Sequence, residues 1–195
     1  MQRVSLKAVF REKEFWILVL LGILYFYRPL FLGETFFFRD LYSYFFPQKQ
    51  LLLDFIKMGE LPLWNVYSSG GQAYLANIAN STLYPFNLLY FCLSPLKAFN
   101  LNIILHLILC SVCAYIFSRV IGFSPISSVI VGVIYGFCGY TLSLVNVLNL
   151  LMAMPYLPLL LWSWHLFLFE RNTMILVKYS LDFNPNVFNL DPKKN

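Results

Sequence analysis

With 195 residues, 59% of them hydrophobic and only 12% charged, this chain has too few polar side chains to clothe a water-soluble surface. Its net charge of +5 is modest and dispersed, with no basic stripe of the kind that marks a nucleic-acid face, so nucleic acid is excluded as an expected partner. The apolar residues gather in blocks of about twenty, the length that spans roughly 30 Å of hydrocarbon, and the expected fold class is all-α, a polytopic membrane protein.

The N-terminus, "MQRVSLKAVFREKEFWILVLLGILYFYRPLFL", sets a basic region before an apolar one. That run is longer than a signal-peptide core, and Gly33 is followed by Glu34-Thr35-Phe36, with no small-x-small cleavage site. It predicts an uncleaved first span near 15–32. Further spans are expected near 99–121, 126–145 and 148–169, the last two parting at a tight turn around Asn146 and Asn149. Residues 1–169 then form a single membrane domain of about four transmembrane helices. Residues 170–195, with two prolines and a polar composition, read as an irregular tail.

Basic residues near span ends set the orientation. Arg3, Lys7, Arg11 and Lys13 precede the first span, Arg119 follows the second, and Arg171 and Lys178 follow the fourth. Both termini are therefore expected in the cytoplasm, and residues 33–98 form a long external loop. Trp16, Trp162 and Trp164 fit an aromatic belt on the cytoplasmic face.

The loop is too rich in Leu, Phe, Tyr and Trp to stay solvated as a linker. Within it, "PQKQLLLDFIKMGE" predicts a short interfacial helix ending at Gly59, with Leu51, Leu52, Phe55 and Ile56 apolar and Lys49, Asp54 and Lys57 around them. "STLYPFNLLYFCLSP" predicts a second such helix, or a re-entrant one, capped by Ser81 and stopped by Pro95. The intervening "LPLWNVYSSGGQAYLANIAN" has the Gly and Asn content of an ordered, sharply turning loop.

Few residues here carry chemistry. Asp40, in "FFFRDLYSYFFPQ", lies just beyond the first span at headgroup level. It suits a general base toward an acceptor hydroxyl or a carboxylate holding a divalent cation against a phosphate, while Arg39 suits a lipid phosphate. The plainer alternative is a solvated interfacial pair worth little. His106 falls inside the second span, roughly 10 Å below the external surface at about 1.5 Å per residue. An ionisable group there either faces a functional cavity or is a neutral histidine bonded to a neighbouring helix. Asn100 and Asn102 share its outer region. Cys110-Ser-Val-Cys113 has redox-motif spacing, but within a span it reads as packing, as do Gly132 and Gly136 at small-xxx-small spacing. There is no phosphate loop, zinc motif or nucleophile elbow.

The string "RDLYSYFFPQKQLLLDFIKMGELPLWNVYSSGGQAYLANIANSTLYPFNLLY", followed by "LHLILCSVCAYIFSRVIGFS" and "LNLLMAMPYLPLLL", resembles the N-terminal portion of bacterial YfhO-type membrane proteins. These are placed among the GT-C glycosyltransferases, which use polyprenyl-phosphate sugars. The resemblance runs from about Phe36 to Leu161 and is most specific at Asp40 to Pro47, Leu61-Pro62-Leu63-Trp64-Asn65, Gly70-Gly71 and Tyr84-Pro85-Phe86-Asn87. It implies transfer of a sugar from a polyprenyl-phosphate donor to a cell-envelope acceptor, on the external face of the bacterial cytoplasmic membrane. It also implies that Asp40 is the catalytic base or the residue that positions a divalent cation. Arg39, Tyr44, Trp64, Asn65, His106 and Asn149 are then the substrate-binding candidates. Val147 and Tyr156 stand where the family pattern leads one to expect a histidine and a tryptophan. Family members have more spans, so the chain is expected to be an N-terminal fragment, inactive alone, or a short subunit with a membrane partner. The competing expectation is a non-enzymatic membrane module, a transporter part or assembly subunit, in which Arg39 and Asp40 anchor a loop.

Overall fold

The computed structural model of the chain describes residues 6–37, 40–68 and 70–168. It is mostly helical, and three helices are long and apolar enough to cross a membrane: Pro95–Val120, Pro125–Asn146 and Leu148–Leu168. Two compact units are present, Met1–Leu159 and Leu160–Asn195. The first holds the candidate site.

The organising element is α6 (Pro95–Val120), whose Pro95 opens the helix. A proline is harmless at that position, since its missing N–H would have had no partner in the helix. The sequence reading had Pro95 as the stop of a preceding helix; instead it starts the next one. Against α6 pack a short α1 (Leu6–Val9), α2 (Lys13–Tyr25) and α7 (Pro125–Phe137). Glycines make these approaches close. A Cβ on Gly22 would lie 2.8 Å from Ile108 Cγ1, and one on Gly136 only 1.7 Å from Ser111 Oγ. The spacing of Gly132 and Gly136 is thus a packing device, as expected.

The expected first span is interrupted. Helix α2 ends at Tyr25, Phe26 leaves helical geometry at φ −101° and ψ 25°, and α3 covers only Tyr27–Phe31. The cause is Pro29, which has no N–H to give Tyr25 and whose ring crowds that carbonyl four residues back. The break keeps this stretch out of the set of three long apolar helices.

Polar ties at both ends of α6 hold α2 and α3 antiparallel to it. At one end Arg119 pairs with Glu12 through Nε at 2.9 Å and Nη2 at 2.5 Å, and Tyr115 donates to the same carboxylate at 2.5 Å. At the other, Asn100 donates to the Glu34 carbonyl at 2.9 Å and accepts from Phe36 N at 3.5 Å. Nineteen residues of helix separate Asn100 from Arg119, about 28 Å at 1.5 Å per residue, close to the hydrocarbon thickness of a bilayer.

After α7 the chain breaks at the extended Cys138, then runs through α8 (Gly139–Ser143), a 3-10 turn at Leu144–Asn146, and α9 (Leu148–Ala153). Val147, at φ −125° and ψ 75°, parts the last two long apolar helices, where the Asn146–Asn149 turn was expected. The cysteines are all free thiols.

The segment before α6 carries a helix, α4 (Phe46–Lys57), entered through a wide π-helical turn at Leu41–Phe45. As expected, α4 ends just before Gly59, whose φ of +72° favours glycine. A small antiparallel hairpin follows, β1 (Trp64–Asn65) with β2 (Gln72–Ala73), Trp64 opposite Ala73 and Asn65 opposite Gln72. The second loop helix is shorter than expected: a 3-10 turn at Pro85–Leu88 and α5 (Leu89–Cys92). Ser81 does not cap it. At φ 47° and ψ 44° Ser81 sits in the left-handed region and closes the 3-10 turn Ile78–Asn80.

Candidate functional site

The Leu41–Lys57 segment presents two faces. Leu41, Phe45, Lys49, Leu52 and Leu53 recur at helical spacing and are buried. The opposite face carries Tyr44, Pro47, Gln48, Leu51 and Asp54. With Asn65, Tyr67 and Ser68 from the hairpin, it walls a cleft of about 460 Å³. Asp54 and Tyr67 are exposed, Tyr67 at 85%, whereas Asn65 is buried. Of the sequence candidates, Tyr44 and Asn65 meet in this cleft.

Asn65 shapes one wall. Its side-chain oxygen accepts from Tyr67 N at 2.9 Å, an Asx turn that sets the hairpin's exit, and its Nδ2 donates to Gln48 Oε1 on α4 at 3.4 Å. Tyr74 donates its hydroxyl to the Gln48 carbonyl at 2.5 Å, and Asn77 Nδ2 donates to the Tyr44 hydroxyl at 3.1 Å. Trp64, adjacent to Asn65 but alternating to the other face of the strand, lies over Gly71. A Cβ on Gly71 would stand 2.6 Å from the indole Nε1, and its φ of +115° disfavours any other residue.

Behind the cleft lies a buried cation. Lys49, expected on the polar side of its helix, is only 2% exposed. It falls on the apolar line of α4, and its ammonium donates to the Asn80 carbonyl at 2.7 Å and to Asn87 Oδ1 at 2.9 Å. Asn87 Nδ2 in turn donates to the carbonyls of Ser81 at 2.7 Å and Thr82 at 2.9 Å, and Asn80 Nδ2 to that of Tyr74 at 3.0 Å. Lys49 thereby fastens α4 to the turns that follow the hairpin. Among the described residues its hydrogen-bond partners are neutral oxygens, and burial pushes its pKa from 10.5 down to about 8.

Asp40 is exposed and precedes the π-helical turn, one turn ahead of Tyr44 and the cleft. Arg39 lies outside the described residues. Among the described residues no group of three His, Cys, Asp or Glu side chains could hold a metal ion. Among the described residues no protein-only cage forms at Asp40; a Mg²⁺ ion, by contrast, is held by one or two carboxylates together with substrate phosphates.

His106 is fully buried in a different cluster. Its Nδ1 lies 2.6 Å from the Asn102 carbonyl one turn back, and its Nε2 lies 2.6 Å from the Tyr84 hydroxyl. A carbonyl only accepts, so Nδ1 carries the proton and Nε2 accepts from Tyr84. Tyr84 also sits 3.4 Å from the Tyr156 hydroxyl, and burial, then Tyr156, raise its pKa. Phe86 closes the cluster edge-on to the imidazole at 4.7 Å. Asn149 stands at the start of α9, with its buried Oδ1 lacking a hydrogen-bond partner among the described residues. Tyr44 and Asn65 thus line the cleft and His106 pairs with Tyr84, while Asp40 precedes the cleft in sequence and Asn149 belongs to α9.

From the sequence, Gln48 and Tyr67 were passed over, and Lys49 and Asp54 were placed on the polar side of the interfacial helix. The signal for the cleft wall was helical spacing from Asp40 through Tyr44, Pro47 and Leu51 to Asp54. The signal for Lys49 was its place on the Leu41, Phe45, Leu52 line. Comparisons with family models, curated proteins and solved structures find no match to this chain.

Proposed function

We propose that this chain is the N-terminal part of a GT-C-like glycosyltransferase of the bacterial cytoplasmic membrane. It transfers a sugar from a polyprenyl-phosphate donor to a cell-envelope acceptor on the external face. The reading rests on the resemblance of residues 36–161 to YfhO-type proteins. The observation that carries it furthest is an exposed carboxylate, Asp40, one turn from a polar cleft, in the segment between α3 and the long apolar α6.

In this reaction Asp40 accepts the proton of an acceptor hydroxyl as that oxygen bonds to the anomeric carbon of the donor sugar. The bond from that carbon to the phosphate oxygen breaks, and its electron pair leaves with the polyprenyl phosphate. Arg39, its neighbour in sequence, contacts the phosphate, and His106 orders the Tyr84 hydroxyl. The first crossing is the kinked α2 and α3 pair, which brings the count to four, with both termini cytoplasmic. The spans missing relative to the family come from the rest of the protein or from a membrane partner.

Replacing Asp40 with Asn in the full-length protein keeps the shape and removes the base. Transfer should fall by about 10²–10⁴-fold, the range for loss of general-base catalysis, with membrane insertion unchanged. Unaltered transfer in Asp40→Asn would refute the assignment and favour a non-enzymatic membrane module.

A further inference from the structure

We infer that the cleft between α4 and the hairpin is a binding site for a neutral oligosaccharide, the acceptor of the proposed transfer. The identity as acceptor rests on that proposal; binding itself does not.

Charge discriminates first. Among the described residues that line the cleft, Asp54 is the one acidic or basic side chain. The cations nearest to Asp54 in sequence are Lys57, which is not among the residues that line the cleft, and Lys49, which points to the opposite side of α4, where its ammonium is committed to Asn80 and Asn87. A phosphate or carboxylate ligand would thus meet a like charge, with no compensating lysine or arginine among the described residues of the wall.

The remaining lining suits hydroxyl groups. A sugar hydroxyl both donates and accepts. Asp54 takes the donated proton, Gln50 offers amide donors as well as a carbonyl, and Ser68 does either. Tyr67, 85% exposed at the hairpin turn, offers an aromatic face against which the C–H face of a pyranose packs. At about 460 Å³ the cleft lies within the roughly 300–1,000 Å³ of small-molecule sites, yet its wall is far more polar than a lipid-tail pocket would be.

The site is also built in advance of ligand. Asn65 to Gln48 and Tyr74 to Gln48 join hairpin to helix, and Asn77 to Tyr44 joins the following turn to the same helix face. Such ties lower the ordering cost that a ligand must offset. Asp40 stands one turn from the Tyr44 end, so a glycan lying along α4 brings its terminal hydroxyl toward the proposed base.

The test is calorimetric titration of the full chain in detergent micelles with chitotetraose and maltotetraose, and with glucose 1-phosphate as the anionic comparator. At least one tetrasaccharide should bind saturably, and glucose 1-phosphate at least tenfold more weakly. Asp54→Ala should weaken binding about tenfold, and Tyr67→Ala about three- to tenfold. Leu83→Ala, an exposed change away from the cleft, should leave Kd unchanged. All three positions are exposed, and unchanged helical circular dichroism checks folding. The inference is overturned if neither tetrasaccharide binds, if both cleft variants bind as wild type does, or if glucose 1-phosphate binds equally well. Asp40→Asn separates the two proposals. Retained binding with lost transfer supports both, retained binding with retained transfer removes only the catalytic assignment, and transfer lost in Asp40→Asn while the wild-type chain binds neither tetrasaccharide removes only the cleft.

Discussion

Lys49 makes the stability of the segment between α3 and α6 depend on pH in an unusual direction. Its pKa falls from 10.5 to about 8 on folding because burial penalises the ammonium. Between those values the unfolded chain binds a proton that the folded chain does not, so stability rises with pH across the window. Integrating the linkage relation from pH 7 to pH 10 gives a gain of about 2–3 kcal/mol. Tyr74, Tyr84 and Tyr90 act oppositely and later. Burial raises each of their pKa values above 10, so their contribution is intact below pH 10 and is lost only as pH climbs through the folded values. The two effects predict a maximum near pH 10. Denaturant unfolding of the chain in micelles, followed at fixed ionic strength from pH 7 to 11, reads this curve directly. Lys49→Met should abolish the rise between pH 7 and 10. It should also lower stability at pH 10 by roughly 1–3 kcal/mol, since the Asn80 carbonyl and Asn87 Oδ1 lose their donor. An equal rise in wild type and Lys49→Met would refute the account.

Two further outcomes follow from the packing of α6. Gly136→Ala places a methyl 1.7 Å from Ser111 Oγ and should destabilise the α6 and α7 contact by about 1–3 kcal/mol despite alanine's better helix propensity. Ser111→Gly in the same chain should recover most of that loss in a double-mutant cycle, and additive effects would count against direct contact. For Glu12, burial pushes the carboxyl pKa up, but hydrogen bonds from Arg119 and Tyr115 and the guanidinium charge outweigh it, and the net displacement is downward. The tie therefore stabilises above the ordinary carboxylate value of 4.5 and is lost as pH falls through the lower folded value. Glu12→Gln should flatten the acid limb of the unfolding curve, measured between pH 3 and 6; an unchanged limb would show that the pair contributes nothing.

Much of the architecture was legible because it depends on composition and local chemistry. Apolar blocks of span length placed the helices at Pro95–Val120 and beyond. Gly59 marked the end of α4, and the glycine spacing in α7 announced close helix contact. Pro29 carried its information locally too, since the kink at Phe26 follows from a missing N–H and a crowded carbonyl, yet the expected first span near 15–32 ran straight through it. Pro95 shows the limit of such reading. A proline ends one helix or opens another, and only the hydrogen bonds on either side decide which.

Asp40 and Lys49 divide what the sequence determined by itself from what tertiary structure alone decided. A carboxylate just past an apolar run is visible in the chain as written, because hydropathy and charge are properties of the residues themselves. That Lys49 is buried, that Asn65 reaches Gln48, and that Asp54 faces Tyr67 across a cleft are relations between segments. The Asn65–Gln48 tie joins positions seventeen residues apart, and Lys49 meets Asn87 across thirty-eight. Such pairings depend on how α4 packs against α6 and on where the hairpin turns, and no local pattern of residues encodes that geometry.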